Sequence, residues 1–336
     1  MSNTLIIAGN KIEPGEDKYI YLPSPALYTG TQTDICIRVI HSQKPGPKLF
    51  IISTIHGDEI NGIDIIRRLL QSPELKKLRG TLITMPIANP YGFLNKTREM
   101  PDHRDLNRFF PGNAKGPLAS RVANLIVEEI AKKCDVVIDL HTGSNRRRNL
   151  PQLRVYLDQP GIKELAESFK APIIVDAAKR EGSLRATCYN LNILSLCYEA
   201  GEALRFTEFG IRVGHRGLLY VMDYLKMIPA ITKSPELKNM QSVIAHSTLW
   251  IRSPNSGILK KSKQIGFQVK KGDILATVTD PFGNNEKEVK CPIDGIIIGI
   301  NNLPLINAGD ALFHIGCFES ADIVAAQIDE LYSFID

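Results

Sequence analysis

The chain has 336 residues, of which 43% are hydrophobic and 23% are charged. This composition is typical of a globular protein with one large domain or two of moderate size, and it excludes a disordered chain and a collagen-like repeat. The 41 basic residues exceed the 36 acidic residues by only five, too few to indicate binding to nucleic acid or to a membrane surface. A small acidic ligand would suit this charge.

The six cysteines are scattered along the chain without a CxxC pair, which argues against a zinc ribbon and against a disulfide framework. Near the start, only the four residues 5–8 form an apolar run, and they have no basic flank, so a signal peptide is not indicated. No apolar run reaches the length of a membrane span. These features predict a protein of the reducing cytoplasm.

In chain order, the first elements are short β strands, predicted at 19–22 and 35–40 between clusters of Pro and Gly. A continuous apolar run at 49–55 predicts a strand buried on both faces. Isoleucines and leucines then recur at helical spacing over 59–70, with Pro73 just beyond the end.

The same alternation of strand and helix continues along the next 160 or so residues. Strands are predicted at 81–85, 136–140, 173–175 and 193–198, and helices at 119–132, 162–169 and 221–228. Alternation of this kind predicts an α/β fold with a mixed, largely parallel sheet flanked by helices.

The last part of the chain contains a weak internal repeat. Residues 257–278 are similar to residues 295–315, and each copy holds a Gly-Asp pair followed by a short apolar strand. Two β-rich halves of this length predict a small all-β domain, which resembles the barrel-sandwich hybrid of lipoyl and biotinyl carrier domains. The lysine-bearing tip of those carriers is missing at 281–287, so we do not expect a covalent cofactor.

We therefore predict five segments along the chain. They are a β-rich N-terminal segment at 1–47 packed on the main domain, a main α/β domain at 48–230, a connection at 231–252, a β-rich C-terminal domain at 253–320 and a C-terminal helix at 321–336.

Three candidate metal ligands follow two of the predicted buried strands. His56 and Glu59 come directly after the strand at 49–55, and His141 follows the strand at 136–140. The carboxyl ends of strands are where open α/β sheets place their sites. Two imidazole nitrogens and one carboxylate oxygen form a usual catalytic zinc set, with a fourth position for water. Alone, however, the His-x-x-Glu pattern is also common at the start of a capped helix.

Two further segments hold polar groups suited to hydrolytic chemistry. Glu199 ends the strand at 193–198, where a carboxylate beside a metal-bound water would act as general base; the alternative is a solvated strand end. The loop from Arg98 to Gly112 contains Asn107 and Arg108 among apolar anchors, and arginine suits a carboxylate or a developing oxyanion. A surface loop of balanced charge is the alternative there.

A basic triplet begins five residues beyond His141 and consists of Arg146, Arg147 and Arg148. It is either a solvated face or a basic rim that steers an anionic substrate toward the site. The remaining histidines have no comparable position after a buried strand, and we do not assign them to the metal. They are His41, His103, His215, His246 and His314.

Taken together, six segments resemble the succinylglutamate desuccinylase/aspartoacylase family, a branch of the zinc carboxypeptidase superfamily. The resemblance extends from about residue 48 to residue 224. In order, the segments are His56-Gly-Asp-Glu59-Ile-Asn-Gly, Asn89-Pro-Tyr-Gly-Phe, Arg98, Asp105-Leu-Asn-Arg108, Asp139-Leu-His-Thr-Gly143 and Tyr198-Glu-Ala-Gly201.

This resemblance implies a carboxypeptidase-like catalytic domain at 48–230 with one zinc ion per chain, bound by His56, Glu59 and His141. Asp105 and Asp139 are candidates for contacting these ligands on the side away from the metal, both from their spacing and from their place in the family pattern. The C-terminal β domain has no counterpart that we can align to the desuccinylases.

The resemblance also implies roles for four other residues: Glu199 as general base, Arg98 as the group that polarises the scissile carbonyl, and Asn107 with Arg108 as the clamp for a substrate carboxylate. The predicted activity is hydrolysis of the amide bond of a small, anionic N-acylated amino acid by metal-activated water. The acyl group and the amine stay open, and a homo-oligomer is possible.

Two other functions are compatible with the same residues. The first is a zinc carboxypeptidase that acts on short peptides, because the same zinc, base and arginine arrangement serves either bond. The second is a catalytically silent binding module that keeps the pocket and engages a partner through its β domain.

Overall fold

The computed structural model describes residues 3–144, 146–231 and 242–319. Within these ranges the chain forms 19 β strands and six α helices. The strands are β1 (Leu5–Ile7), β2 (Asn10–Ile12), β3 (Asp17–Leu22), β4 (Ile35–His41), β5 (Lys48–Ser53), β6 (Thr81–Met85), β7 (Val136–Gly143), β8 (Arg147–Val155), β9 (Ile173–Asp176), β10 (Leu194–Glu202), β11 (Val243–Ala245), β12 (Ser247–Arg252), β13 (Gly257–Lys261), β14 (Gln268–Val269), β15 (Ile274–Thr279), β16 (Lys287–Lys290), β17 (Gly295–Asn301), β18 (Leu305–Ile306) and β19 (Ala311–Cys317). The helices are α1 (Asn61–Leu70), α2 (Pro90–Asn95), α3 (Leu118–Glu129), α4 (Ile162–Phe169), α5 (Leu184–Asn190) and α6 (Glu208–Tyr224).

A mixed sheet of 13 strands forms the centre of the fold, and its main path runs β12-β19-β17-β8-β10-β7-β5-β6-β4-β3. The pairs β10-β7, β7-β5 and β5-β6 are parallel, whereas the strands toward both edges of this path pair antiparallel. The predicted fold class, a mixed sheet with helices on its faces, is confirmed. None of the helices in the described ranges has the length and the apolar character needed to cross a bilayer.

The central strands are buried on both faces, as their continuous apolar sequence predicts. In β5, Leu49 and Ile51 belong to one buried cluster together with residues of α1, α4 and α6. Phe50 and Ile52 belong to a second cluster together with residues of α3 and α5. Because side chains alternate along a strand, one apolar run supplies both cores and holds the carboxyl end of β5 rigidly in place.

The helix predicted at 221–228 is much longer in the structure, where α6 begins at Glu208. Its first turns contain several glycines, which lower helix propensity and conceal the periodicity in the sequence. Two of these glycines permit close packing: a Cβ atom on Gly214 would lie 2.5 Å from the Ile65 side chain, and one on Gly217 would lie 2.1 Å from Phe169.

The strand β8 was not predicted at all. It contains Arg147, Arg148 and Asn149 at its start, and Pro151 in its middle, so it lacks the apolar run of the other central strands. It is held in the sheet by pairing with β10 along one edge and with β9 and β17 along the other. Local sequence does not report such long-range pairing.

The C-terminal strands divide between two sheets. The strands β12, β17 and β19 join the central sheet through the antiparallel pair β17-β8, while β13, β15, β16 and β18 form a separate four-stranded sheet. The predicted connection at 231–252 instead contains β11 and β12, which pair with β9 and β19. The helix predicted at 321–336 lies outside the described residues.

Candidate metal centre and active site

A cleft opens where the parallel strands of the central sheet end. His56 lies three residues beyond β5, His141 lies in the last part of β7, and Glu199 lies in β10 directly opposite His141 in the strand register. Eight of the nine predicted site residues line this cleft, and the ninth, Asp105, hydrogen-bonds to three of them, namely His56, Arg98 and the Asn107 N–H. The eight are His56, Glu59, Arg98, Asn107, Arg108, Asp139, His141 and Glu199.

The three candidate metal ligands converge. The Nδ1 atom of His56 lies 2.8 Å from Oε1 of Glu59, and the Nδ1 atom of His141 lies 2.8 Å from Oε2 of Glu59. One potential ligand atom from each residue lies within 4.8 Å of the other two, and all three residues are buried. Although it is close to Glu59, the buried Nδ1 of His56 makes no hydrogen bond of acceptable geometry. Two imidazoles and one carboxylate directed at a common point fit a zinc ion.

Carboxylates contact the far nitrogens of both histidines. The Nε2 atom of His56 lies 3.0 Å from Oδ1 of Asp105, and the Nε2 atom of His141 lies 2.7 Å from Oδ2 of Asp139. In metal proteins such contacts set the tautomer and the ring orientation of a ligating histidine, so that its other nitrogen faces the metal. The placement of Asp105 and Asp139 therefore suits the contacts that the sequence predicts for them.

The electrostatics of the centre favour a charged carboxylate at Glu59. Burial raises the pKa of Glu59, but His56 and His141 lower it more, and the net pKa lies well below its ordinary value. Burial lowers the pKa of His141, but Asp139, Cys197 and Glu59 raise it more, and the net pKa lies well above its ordinary value. The carboxylates of Glu59 and Asp139 thus favour positive charge on the His141 ring between them.

Two sequence segments pack together to position the ligands. A Cβ atom on Gly57 would lie 1.9 Å from the carbonyl carbon of Gly92, so only glycine fits between His56 and Asp58. The Oδ1 atom of Asn89 caps α2 by accepting a hydrogen bond from the Gly92 N–H at 2.8 Å. The Asn-Pro-Tyr-Gly segment therefore supports the turn that carries His56 and Glu59.

The guanidinium of Arg98 lies against the candidate ligands. Its Nη1 donates to Oε1 of Glu59 at 3.0 Å, and its Nε and Nη2 donate to Oδ2 of Asp105 at 3.2 and 2.9 Å. Burial lowers the pKa of Arg98, but Glu59 and Asp105 raise it more. Arginine has five N–H donors, so these contacts leave two of them for other partners.

Glu199 lies inside β10, not at its end as predicted, and its carboxylate has two partners from β8. Oε1 lies 3.1 Å from Nε of Arg154, and Oε2 accepts a hydrogen bond from Nδ2 of Asn149. Its side chain is 19% exposed, which leaves it access to the cleft. Sequence reasoning missed Arg154 and Asn149 because β8 itself was not predicted.

The predicted substrate clamp lies on the short helical turn at 106–108. The Oδ1 atom of Asn107 accepts a hydrogen bond from the Leu184 N–H at the start of α5, and the Arg108 side chain reaches to 3.6 Å from Asp105. Burial lowers the pKa of Arg108, and only Asp105 opposes this shift. Arg108 therefore keeps a positive charge that its surroundings only partly balance.

The cleft is rich in arginine beyond the predicted residues. Among the described residues, six arginines line it. Three of these, Arg154, Arg180 and Arg185, were not predicted to belong to the site, and Arg147 is part of the basic triplet. Of the basic triplet, Arg147 lines the cleft while Arg146 is exposed and does not. The C-terminal strands contribute Trp250 to the same wall.

A sequence model of the succinylglutamate desuccinylase/aspartoacylase catalytic domain matches residues 45–225, more than half of the chain. The chain belongs to this family. Its curated relatives include the N-alpha-acetyl-L-2,4-diaminobutyric acid deacetylase of Halomonas elongata, which is 22% identical over 277 residues covering 80% of this chain and 81% of the relative.

Solved structures of family members share the fold. A succinylglutamate desuccinylase/aspartoacylase from Rhodobacter sphaeroides superposes with a TM-score of 0.79 at 23% identity, covering 90% of this chain and 96% of its own. The product-bound ectoine utilization protein EutE (DoeB) from Ruegeria pomeroyi gives 0.80 at 21% identity, covering 91% and 97%. These matches cover nine-tenths of the chain and therefore include most of its C-terminal part, which the sequence alone did not allow us to align.

Proposed function

We propose that the protein is a zinc-dependent deacylase that hydrolyses the amide bond of small N-acyl amino acids. The observation that carries this proposal is the convergence of His56, Glu59 and His141 at the end of the parallel strands, with Glu199 opposite His141. Family membership supports the amide-hydrolase class. The relative from Halomonas elongata, described as a deacetylase of an N-acetylated diamino acid, supports an acyl-amine substrate.

In this proposal His56, Glu59 and His141 hold the zinc ion, with Asp105 and Asp139 orienting the two imidazoles. When bound, zinc supplies an activated water and Lewis-acid polarisation of the carbonyl. The carboxylate of Glu199 takes the proton from the attacking water and returns it to the leaving nitrogen. Arg154 and Asn149 hold that carboxylate in the orientation that faces the cleft.

Arg98 and the predicted clamp position the substrate in this proposal. The two N–H groups of Arg98 that Glu59 and Asp105 do not use are available to the oxygen of the scissile carbonyl. A preorganised donor of this kind stabilises the charge that develops on that oxygen. Arg108 pairs with the substrate carboxylate, and Asn107 fixes the turn against α5.

We also propose a cytoplasmic location. All six cysteines are free thiols, as is usual in that reducing compartment.

The decisive experiment combines metal analysis with a substrate panel. Purified protein is assayed for zinc content and for release of amine from N-acetyl, N-formyl and N-succinyl amino acids and from short peptides, with Glu199→Gln as the matched variant. We expect about one zinc per chain and hydrolysis of one acyl class that the variant loses. Cleavage of peptides alone would instead establish a carboxypeptidase, while absence of both zinc and turnover would favour the binding module.

A further inference from the structure

One buried side chain connects the turn that carries Glu59 to the strand that carries Glu199. Asn61 is the first residue of α1, two residues after Glu59, and it is only 1% exposed. Its Nδ2 atom donates to the carbonyl oxygen of Ala200 at 2.9 Å, and its Oδ1 atom accepts from the Thr207 N–H at 3.0 Å. Because Ala200 directly follows Glu199, this amide holds the backbone next to the proposed general base.

The strand β10 is irregular at this point. Glu199 pairs with His141 and Glu202 pairs with Gly143, so β10 contains one residue more than β7 over this stretch. Among the described strands, Ala200 has no partner in the register with either β7 or β8. An extra residue in one strand disrupts the ladder and changes the direction of nearby side chains. The side chain from α1 supplies a donor where this ladder is disrupted.

The two partners of Asn61 fix the orientation of its amide. A backbone carbonyl can only accept and a backbone N–H can only donate, so the amide nitrogen faces Ala200 and the amide oxygen faces Thr207. Aspartate has nearly the same shape but would place an acceptor opposite the carbonyl oxygen, and leucine has no polar atom to offer. Buried polar groups without partners are costly, so asparagine suits this position better than either.

The neighbouring glycine shows how closely this amide packs. Gly201 has a φ of 78°, in the left-handed region. A Cβ atom there would lie 2.5 Å from Nδ2 of Asn61 and 2.5 Å from Oγ1 of Thr207. A second link lies close by, where the Leu204 N–H donates to the carbonyl oxygen of Asp58 at 2.8 Å. The turn that carries two of the metal ligands and the end of β10 therefore form one closely packed unit.

We propose that Asn61 is a positioning residue that fixes the irregular part of β10, and with it the carboxylate of Glu199, relative to the metal centre. This inference rests on the proposed deacylase function and adds a residue to the active site. Arg154 and Asn149 contact the Glu199 carboxylate itself. Asn61 instead holds the backbone beside it, and contacts neither the substrate nor the reacting bond.

The kinetic test uses Asn61→Leu and Asn61→Asp with the substrate that wild type hydrolyses best. Each variant should lower kcat by about ten- to a hundredfold, the effect of a misplacement of about 1 Å, with KM within about twofold of wild type and zinc content unchanged. In a Glu199→Gln background, Asn61→Leu should lower the remaining kcat by less than about threefold, because residues that act through one group are not additive. Equal losses in both backgrounds, or loss of zinc, would overturn the proposal.

A control variant separates positioning from a general loss of stability. Thr81 begins β6, at the opposite end of the parallel strands from the cleft, and its Oγ1 atom lies 2.8 Å from Nδ1 of the buried His41. Thr81→Val therefore removes one buried hydrogen bond, as Asn61→Asp does, and should keep the wild-type kcat. An equal loss of kcat in the two variants would refute a specific role for Asn61. If Asn61→Leu does not fold, Asn61→Asp, which keeps the acceptor for the Thr207 N–H, serves for the same comparisons.

Hydrogen exchange distinguishes failure of this inference from failure of the proposed function. Amide exchange in residues 199–207, followed by mass spectrometry, reports how firmly the end of β10 is held and needs no turnover. We expect exchange about tenfold faster in Asn61→Leu than in wild type or Thr81→Val, the effect of one lost hydrogen bond. If this is seen but no acyl amino acid is hydrolysed, Asn61 still fixes β10 and the deacylase function fails. If acyl amino acids are hydrolysed but exchange in Asn61→Leu equals that of wild type, the inference fails and the deacylase function stands.

Discussion

Replacement of Asp139 by Asn tests whether the carboxylates behind the histidines support metal binding. The Asp139 carboxylate lies 2.7 Å from Nε2 of His141, and both side chains are nearly fully buried, with exposures of 2% and 5%. Loss of a hydrogen bond to a charged group costs about 1.5 to 3 kcal/mol. Removal of such a partner weakens metal binding by about ten- to a hundredfold, equivalent to about 1.4 to 2.8 kcal/mol. The two magnitudes agree, so we expect zinc affinity to fall within this range.

The assay is competition between the metal-free protein and a chromogenic chelator for zinc, which gives a dissociation constant independent of turnover. Asp34→Asn, at an exposed position remote from the cleft, is the matched control and should leave the affinity unchanged. Circular dichroism of the metal-free proteins verifies that Asp139→Asn is folded. A folded variant whose zinc affinity is within twofold of wild type would refute the role given to Asp139.

Three other predictions follow from the site and its surroundings. Glu199→Gln should lower kcat by about a hundred- to ten thousandfold, the usual contribution of a general base, with zinc content unchanged; a kcat within tenfold of wild type would exclude that role. Gly57→Ala should reduce the free energy of unfolding by about 3 kcal/mol in urea titrations, because the new methyl would overlap the backbone of Gly92; unchanged stability would contradict the close packing. Burial lowers the pKa of His314 to about 3, so the folded state favours the neutral ring. The contribution of this neutral ring to the free energy of unfolding is complete above pH 6.5 and is lost as the pH falls. Lowering the pH from 8 to 5 should therefore reduce the free energy of unfolding by about 2 kcal/mol through this residue, and His314→Phe should remove that part of the pH dependence measured by urea unfolding.

The pairing of the C-terminal strands makes truncation an unsuitable test of the domain organisation. An apparent boundary near residue 230 suggests that the preceding part would fold after truncation. In the structure, β17 pairs with β8 and β11 pairs with β9. Truncation would therefore expose two unpaired strand edges, which tend to aggregate. The contribution of these strands to the cleft is better tested by a side-chain substitution at Trp250, which lines it.

Sequence reasoning succeeded where a local pattern has a direct structural cause. Continuous apolar runs predicted β5, β7 and β10, because strands buried on both faces need apolar side chains on both. The positions of His56 and His141 after such runs predicted that they meet at one edge of the sheet, and in the structure they do. It failed at β8 and at the start of α6, where long-range pairing and close packing outweigh local preference.

Residue type and order are enough to predict the fold class, the family and the residues of the candidate metal centre. The side chains that surround this centre become known only from the folded chain. Arg154 and Asn149 reach Glu199 from the neighbouring strand, and Trp250 reaches Arg147 across about a hundred residues of chain. These contacts arise because strands far apart in the chain become neighbours in one sheet. The local periodicity of the sequence does not predict which strands will pair.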